Sequence, residues 1–156
     1  MKSRFLALII FLLPIALNAQ LDYNHALGLR MGASDGFGAE ISYQFNYKRD
    51  KRVEIDFGWR SADSYDAFRV VGLHQWAWSL FEDIIWYTGG GAGYGSYDFD
   101  DRNDSNVPFV AGVIGIEYFL NLPIMISADF RPQLNMEQVD NSSLDFDFGV
   151  SIRYLF

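Results

Sequence analysis

Few residues in this chain could do chemistry. His25 and His74 are the only imidazoles, and cysteine is absent. That leaves no thiol nucleophile, no thiolate metal site and no disulfide framework. Acyl or phosphoryl transfer through a serine needs a base within hydrogen-bond reach of the hydroxyl. His25 opens the first patterned run, His74 lies inside His74-Gln-Trp76, and the nearest serine, Ser79, falls at a turn. Asp98-Phe-Asp-Asp-Arg-Asn-Asp104 offers carboxylates to a calcium ion, but it lacks the glycine and the terminal glutamate of an EF-hand loop. Gly89, Gly91, Gly93 and Gly95 share one parity. A phosphate-binding loop must lie between a strand and a helix N-terminus, and no helix is predicted here. The glycines instead read as positions that make room for bulky neighbours or allow sharp curvature. Asp145-Phe-Asp-Phe-Gly149 contains Asp-Phe-Gly without the other kinase elements. The expectation is a non-enzymatic protein with no cofactor and no metal.

The remaining charges are spaced by two, which places them on one side of strands. Residues 53–60 read Val-Glu-Ile-Asp-Phe-Gly-Trp-Arg, with Val53, Ile55, Phe57 and Trp59 on one face and Glu54, Asp56, Gly58 and Arg60 on the other. Residues 144–156 repeat the pattern, with Leu144, Phe146, Phe148, Val150, Ile152, Tyr154 and Phe156 on one side and Asp145, Asp147, Gly149, Ser151 and Arg153 on the other. Eight such runs are predicted, near 25–34, 38–47, 52–60, 67–78, 85–96, 108–119, 124–133 and 143–156, separated by turn residues such as Ser34-Asp-Gly36 and Asn121-Leu-Pro123. About ten residues at ~3.3 Å each, tilted ~40°, rise ~25 Å, the height of the apolar band of an outer-membrane barrel. Eight antiparallel strands and no helix predict closure, which removes exposed edges.

Composition narrows the class. The chain has 156 residues, half of them apolar and 17% aromatic, which excludes disorder. Residues 1–19 begin with Lys2 and Arg4 and continue as an apolar run from Phe5 to Leu17. That run is too short to span a bilayer as a helix, so it reads as a secretory signal, with a retained anchor as the alternative. Residues 20–156 then form one barrel domain carrying all 20 acids and ten of the twelve bases. An acidic chain with a pI near 4.5 excludes nucleic acid as a partner.

Alternation alone does not say which face points outward. A soluble lipocalin-like barrel would use Lys and Glu freely on its wet face, yet this chain has three lysines: Lys2 in the leader, and Lys48 and Lys51 in one turn. The polar face is rich in Gly, Ser, Asp and Arg, which suits a narrow, crowded lumen. Large aromatics, namely Phe45, Tyr47, Trp76, Trp78, Trp86, Tyr87, Tyr118, Tyr154 and Phe156, gather at the strand ends nearest the termini, as in an interfacial girdle. Parity assigns Arg30, Glu40, Glu54, Asp56, Arg60, Arg69, Glu117, Asp129, Arg131, Asp145, Asp147 and Arg153 to the interior. Eight strands leave a lumen only just wide enough for side chains, so these charges should interlock and plug it. The alternative is a narrow passive channel for small solutes, or one gated by an Arg that switches partners.

The last ten residues add a resemblance. Asp147-x-Gly149-x-x-Ile152-x-Tyr154 ending at Phe156 resembles the β-signal of Gram-negative outer-membrane proteins. Gly112-Val-Ile-Gly-Ile-Glu-Tyr118, Leu122-Pro123, Ser127-Ala-Asp-Phe-Arg-Pro132 and Ser151-Ile-Arg-Tyr154 are similar to a family of small outer-membrane β-barrel domains of the OmpA and OmpX type. The resemblance implies insertion by the barrel-assembly machinery, where a final strand pairs by its backbone and is selected by alternate side chains. It implies no catalytic residues. Some barrels of this size are lipid A deacylases or acyltransferases, but His74 lacks the His-x-Ser arrangement of the deacylases.

An even strand number puts both termini on the periplasmic side. The outer loops then hold Asp35, Asp63, Asp66, Asp98, Asp100, Asp101, Asp104, Glu137 and Asp140 against one base, Arg102. That charge either solvates the loops or attracts divalent ions shared with lipopolysaccharide. The sequence therefore predicts a monomeric outer-membrane barrel among lipid and lipopolysaccharide, serving envelope structure or outer-surface contact.

Overall fold

Alternating polar and apolar side chains leave a strand with two incompatible faces, and a closed sheet satisfies both at once. In the computed structural model, which describes residues 23–32, 38–62, 65–99, 105–136 and 144–156, this closure is complete. The strands are β1 (His25–Gly32), β2 (Glu40–Lys48), β3 (Lys51–Ala62), β4 (Tyr65–Ser79), β5 (Ile84–Phe99), β6 (Ser105–Phe119), β7 (Ile124–Asn135) and β8 (Leu144–Leu155). Each pairs antiparallel with the next, and β1 pairs with β8 to shut an up-and-down barrel. At the seam, Phe156 N–H donates to the His25 carbonyl at 2.9 Å and His25 N–H to the Phe156 carbonyl at 3.1 Å. Phe156 thus carries the β1–β8 pairing one residue past Leu155.

The faces are inverted relative to a water-soluble protein. Arg30, Glu54, Asp56, Arg131 and Arg153 are buried inside, while Leu29, Ile55, Phe57, Ile116, Val150 and Ile152 are exposed outside. No helix among the described residues is long and apolar enough to cross a membrane. The apolar surface is carried on strands instead.

Three features differ from the sequence-based expectation. The middle strands are longer: β3 and β4 run through 61–66 to leave 63–64 between them, and β5 reaches Phe99. Asp66 and Asp98, expected in loops, are therefore strand residues and register partners. The long ladders continue because Ser61↔Asp66 and Tyr97↔Ser105 pair as readily by backbone as the apolar residues below them. Second, Tyr87 is fully buried in the lumen rather than in the girdle, because it shares parity with the inward Gly89 and Gly91. Third, exposed aromatics ring both ends. Trp59, Phe68, Tyr94, Phe146 and Phe148 lie toward the end opposite the termini, with Phe68 and Tyr94 in ring contact at 6.2 Å. Trp78 and Phe68 are ten positions apart on β4, which at ~3.3 Å per residue and ~40° tilt separates the two rings by ~25 Å.

Leader residues 1–19 and the acids Asp35, Asp63, Asp100, Asp101, Asp104, Glu137 and Asp140 lie outside the described residues.

Candidate functional site

The lumen is built from the inward parity of every strand, and its charged sector comes mainly from β1, β2, β3, β7 and β8. Among the described residues the five buried bases of the lumen, Arg69 of β4 included, are all arginines. A guanidinium presents several donors in one plane and can satisfy more than one carboxylate at once. Arg30 does so, reaching Asp129 at 2.6 Å, Asp147 at 2.7 Å and Glu40 at 3.2 Å. Arg131 contacts Asp56 at 2.7 Å, Glu54 at 3.1 Å and Glu40 at 3.7 Å. Arg69 lies 3.7 Å from Glu40.

Glu54 is the hub. Its two oxygens accept from Gln44 (2.6 Å), Arg131 (3.1 Å), Arg153 (3.2 Å) and Gln75 (3.2 Å). Arg153 also donates to Ser42 and Ser127. Gln44 bridges Glu54 to Glu117, and Gln75 accepts from Arg52 at 2.6 Å. Arg52 in turn grips Glu117 with two parallel bonds of 2.6 and 2.7 Å. One connected polar network therefore runs from Arg52 near the end carrying the termini to Arg30 and Asp147 nearer the other.

Arg52 opens the predicted 52–60 run but is absent from the interior set that parity assigned. It is instead a lumen residue, buried and engaged with Glu117. Its parity with Glu54 and Asp56 was the signal that could have placed it. Gln44, Gln75, Ser42 and Ser127, also missed, follow the same parity rule. The structure brings together Arg30, Glu40, Glu54, Asp56, Arg69, Glu117, Asp129, Arg131, Asp147 and Arg153. It leaves Asp145 half-buried near the mouth, where its Oδ1 accepts from the Phe146 N–H at 2.8 Å. The Arg60 side chain lies outside the described ones.

The other sector of the lumen is apolar, which alternation did not anticipate. Val71, Leu73, Tyr87, Phe109, Ala111 and Val113 form one buried cluster on β4, β5 and β6. It meets the ionic sector through two cation–π contacts: Arg52 lies 4.5 Å above the Tyr87 ring and Arg69 lies 4.8 Å above the Phe109 ring. Glycines on neighbouring strands accept these large groups. A Cβ at Gly93 would overlap the Phe109 ring, one at Gly115 the Tyr87 phenol, and one at Gly149 the Arg30 guanidinium. Ala26, Met125 and Leu155, with Tyr23 and Phe119 against them, make a second apolar collar at the end where β1 begins and β8 ends. A recess of about 260 Å³ at that end is lined by Tyr23, Phe119, Met125 and Leu155 of this collar together with Gln44, Asn46 and Arg52.

Both histidines lie on the outer face. His25 Nδ1 is 2.8 Å from the Tyr43 hydroxyl, and its ring stacks on Phe45 and Phe156. His74 Nε2 is hydrogen-bonded to the Tyr47 hydroxyl. Tyr47, Trp76, Trp78 and Tyr118 are exposed on that face, and Trp86 is half-buried against Trp78 with ring centroids 4.7 Å apart. No group of three or more metal-ligating side chains occurs among the described residues.

Comparison with solved structures agrees with this architecture. The N-terminal β-barrel domain of OprF from Pseudomonas aeruginosa superposes with a TM-score of 0.70 at 10% identity, over 88% of this chain and all of that one. The fold is that of the small outer-membrane β-barrels. The neisserial surface protein A matches with a TM-score of 0.59 at 13% identity, over 85% of this chain and 94% of that one. Ail, the attachment invasion locus protein of Yersinia pestis, matches with a TM-score of 0.56 at 16% identity, over 85% and 96%. No family model matches the chain, and no curated protein sequence does. The likeness therefore lies in backbone architecture, which the outer-membrane fold keeps while its sequences diverge.

Proposed function

We propose that this chain is a non-enzymatic integral protein of the bacterial outer membrane, exported by residues 1–19, inserted by the barrel-assembly machinery with both termini periplasmic, and sealed by its own side chains. The inversion of faces carries the reading. Buried arginines and carboxylates interlock inside while isoleucine, leucine, phenylalanine and tryptophan cover the outside, an arrangement that is costly in water and favourable in lipid. Refolded in detergent micelles, the protein should run as a compact band on a gel and shift on boiling. A chain that folds without detergent and shows no shift would contradict the membrane reading.

The plug is supported by the Arg52–Glu117 pair, which borders the recess at the periplasmic end, and by the Tyr87 and Phe109 rings against the network above it. A sealed lumen predicts silence in planar-bilayer recording. Steady unitary currents from the unmodified barrel would replace the plug with a passive channel.

Envelope structure or outer-surface contact is then the remaining role. The Yersinia neighbour has been solved with the heparin analogue sucrose octasulfate. With Asp66 and Asp98 in strands, the connections at the outer end still carry seven acids and one arginine, which suits a cationic or cation-bridged partner, such as lipopolysaccharide phosphates, and repels a polysulfate.

Phe156 closes the β1–β8 ladder by backbone and stacks on His25 and Tyr154. As the end of the β-signal formed with Asp147, Gly149, Ile152 and Tyr154, it should govern assembly. Deleting it is expected to lower the amount of barrel in the membrane several-fold, while the fraction that inserts keeps its heat shift. Equal membrane levels of the truncated and full chains would remove the basis for that role.

A further inference from the structure

The rim where β1 begins and β8 ends is electrically lopsided. The β2–β3 turn presents Lys48, Arg49 and Lys51 around one acid, Asp50. The β4–β5 turn presents Glu82 and Asp83, and the β6–β7 turn, residues 120–123, carries no charge. Beside the basic turn, the outer face of β2, β3 and β4 holds a polar pair, Tyr47 and His74, on a largely apolar wall. Lys51 lies opposite Trp76 in the ladder and Val53 opposite His74. Tyr47, on the adjoining strand, is hydrogen-bonded to His74 Nε2. The His74 ring meets Trp76 edge-on with centroids 4.4 Å apart.

A histidine on a lipid-facing strand is costly unless its ring nitrogens find partners. Tyr47 supplies one, and among the described residues none is made by His74 Nδ1. Trp76 and Trp78 fix the depth, because exposed indoles settle at the headgroup level. His74, two positions before Trp76 on β4, then sits just inside that level, on the side of the barrel whose turn carries Lys48, Arg49 and Lys51.

We propose that this corner of β2–β4 is a binding site for an anionic phospholipid of the periplasmic leaflet. The three basic side chains hold the headgroup phosphate, and the Tyr47–His74 pair offers a polar contact at the glycerol level. The acidic β4–β5 turn repels the same lipid, so recruitment is confined to one side of the barrel. The inference rests on the membrane reading above and on the termini facing the periplasm.

The test uses tryptophan quenching. With Trp59→Phe, the remaining indoles, Trp76, Trp78 and Trp86, all lie near this rim. The full chain carrying that substitution is reconstituted in phosphatidylethanolamine vesicles containing a minor fraction of phosphatidylglycerol, with bromine placed on the acyl chains of one lipid or the other. Quenching per brominated lipid should be at least about threefold greater for phosphatidylglycerol. The preference should vanish in ~1 M salt, where screening acts within ~3 Å. It should also vanish in the Lys48→Gln, Arg49→Gln, Lys51→Gln variant, which leaves the lumen untouched. Equal quenching by the two lipids in an inserted, heat-shifting barrel overturns the proposal, as does a preference that survives the triple substitution. A chain that inserts into neither mixture contradicts the membrane reading instead, so the two failures are distinguishable.

Discussion

Replacing Glu54 with alanine should lower the unfolding free energy of the micelle-refolded barrel by about 3–5 kcal/mol, the cost of leaving buried charge uncompensated. Glu54 is fully buried and accepts from two arginines and two glutamines. Without it, Arg131 keeps Asp56 at 2.7 Å, but Arg153 is left with only the hydroxyls of Ser42 and Ser127 among the bonds described. Gln44 keeps Glu117 at 3.3 Å, but the Gln75 amide loses its Glu54 acceptor, which adds about 1–3 kcal/mol if it finds no new partner. Glu54→Gln keeps the shape and removes the charge, so it should fall between the wild type and the alanine variant. Glu82→Ala, in an exposed turn, should stay within about 0.5 kcal/mol. Urea titrations following the heat-shifted band would measure all three. A Glu54→Ala loss below about 1 kcal/mol would mean that the network contributes little and that the apolar sector around Phe109 holds the lumen.

The contrast between Glu54 and Glu82 also shows what could be read from sequence. The strand carrying Glu54 alternates cleanly from Val53 to Trp59, so its faces and their opposite environments were legible. The same holds for β8 from Leu144 to Phe156. On β4, Val70, Val71, Gly72 and Leu73 form a continuous small and apolar run. A period of two leaves no trace there, because both the lipid face and that sector of the lumen are apolar. Arg69, two positions before Val71, carries the parity that points Val71 and Leu73 inward and Val70 outward, while the run itself gives no sign that this part of the lumen is apolar. Arg52 and Tyr87 were misplaced for a related reason. Each sits beside residues that do belong to the rim, Lys51 and Trp86, and proximity in sequence was read in place of parity. The strand extensions through Asp66 and Asp98 were hidden because acids and serines look like loop, whereas backbone pairing continues wherever the neighbouring strand does. The two-residue parity rule thus fixes the inner set once strand limits are known, but composition does not fix those limits.

A matched pair of glycines tests the curvature that makes so narrow a barrel possible. Gly91→Ala should destabilise by about 3 kcal/mol, at the upper end of overpacking costs, because the obstacle is backbone. Gly91 faces the lumen opposite Leu73 on β4, and a Cβ there would run into the Gly72 carbonyl oxygen and lie 2.9 Å from the Leu73 Cα. Neither atom can rotate away as a side chain would, so β4 and β5 must part or uncoil. Gly89, next along the same inner face, meets the His74 carbonyl oxygen in the same way. These residues mark a tightly coiled seam between two long strands. Gly72 is the control on the adjoining strand. It faces outward, and the nearest atom to its added Cβ is the Ala92 carbonyl oxygen at 4.0 Å. Gly72→Ala has room, and by restricting the unfolded chain it should be neutral or stabilise by up to about 1 kcal/mol. The two substitutions add the same methyl group to neighbouring strands, yet they should move the urea midpoint in opposite directions or, at the least, by very different amounts. Gly91→Val should further reduce the yield of heat-shifting barrel to a small fraction, because a branched side chain multiplies the clash. Equal effects of alanine at Gly72 and Gly91 would show that the β4–β5 seam relaxes freely, and the inner glycines would then serve only to admit the Phe109 and Tyr87 rings beside them.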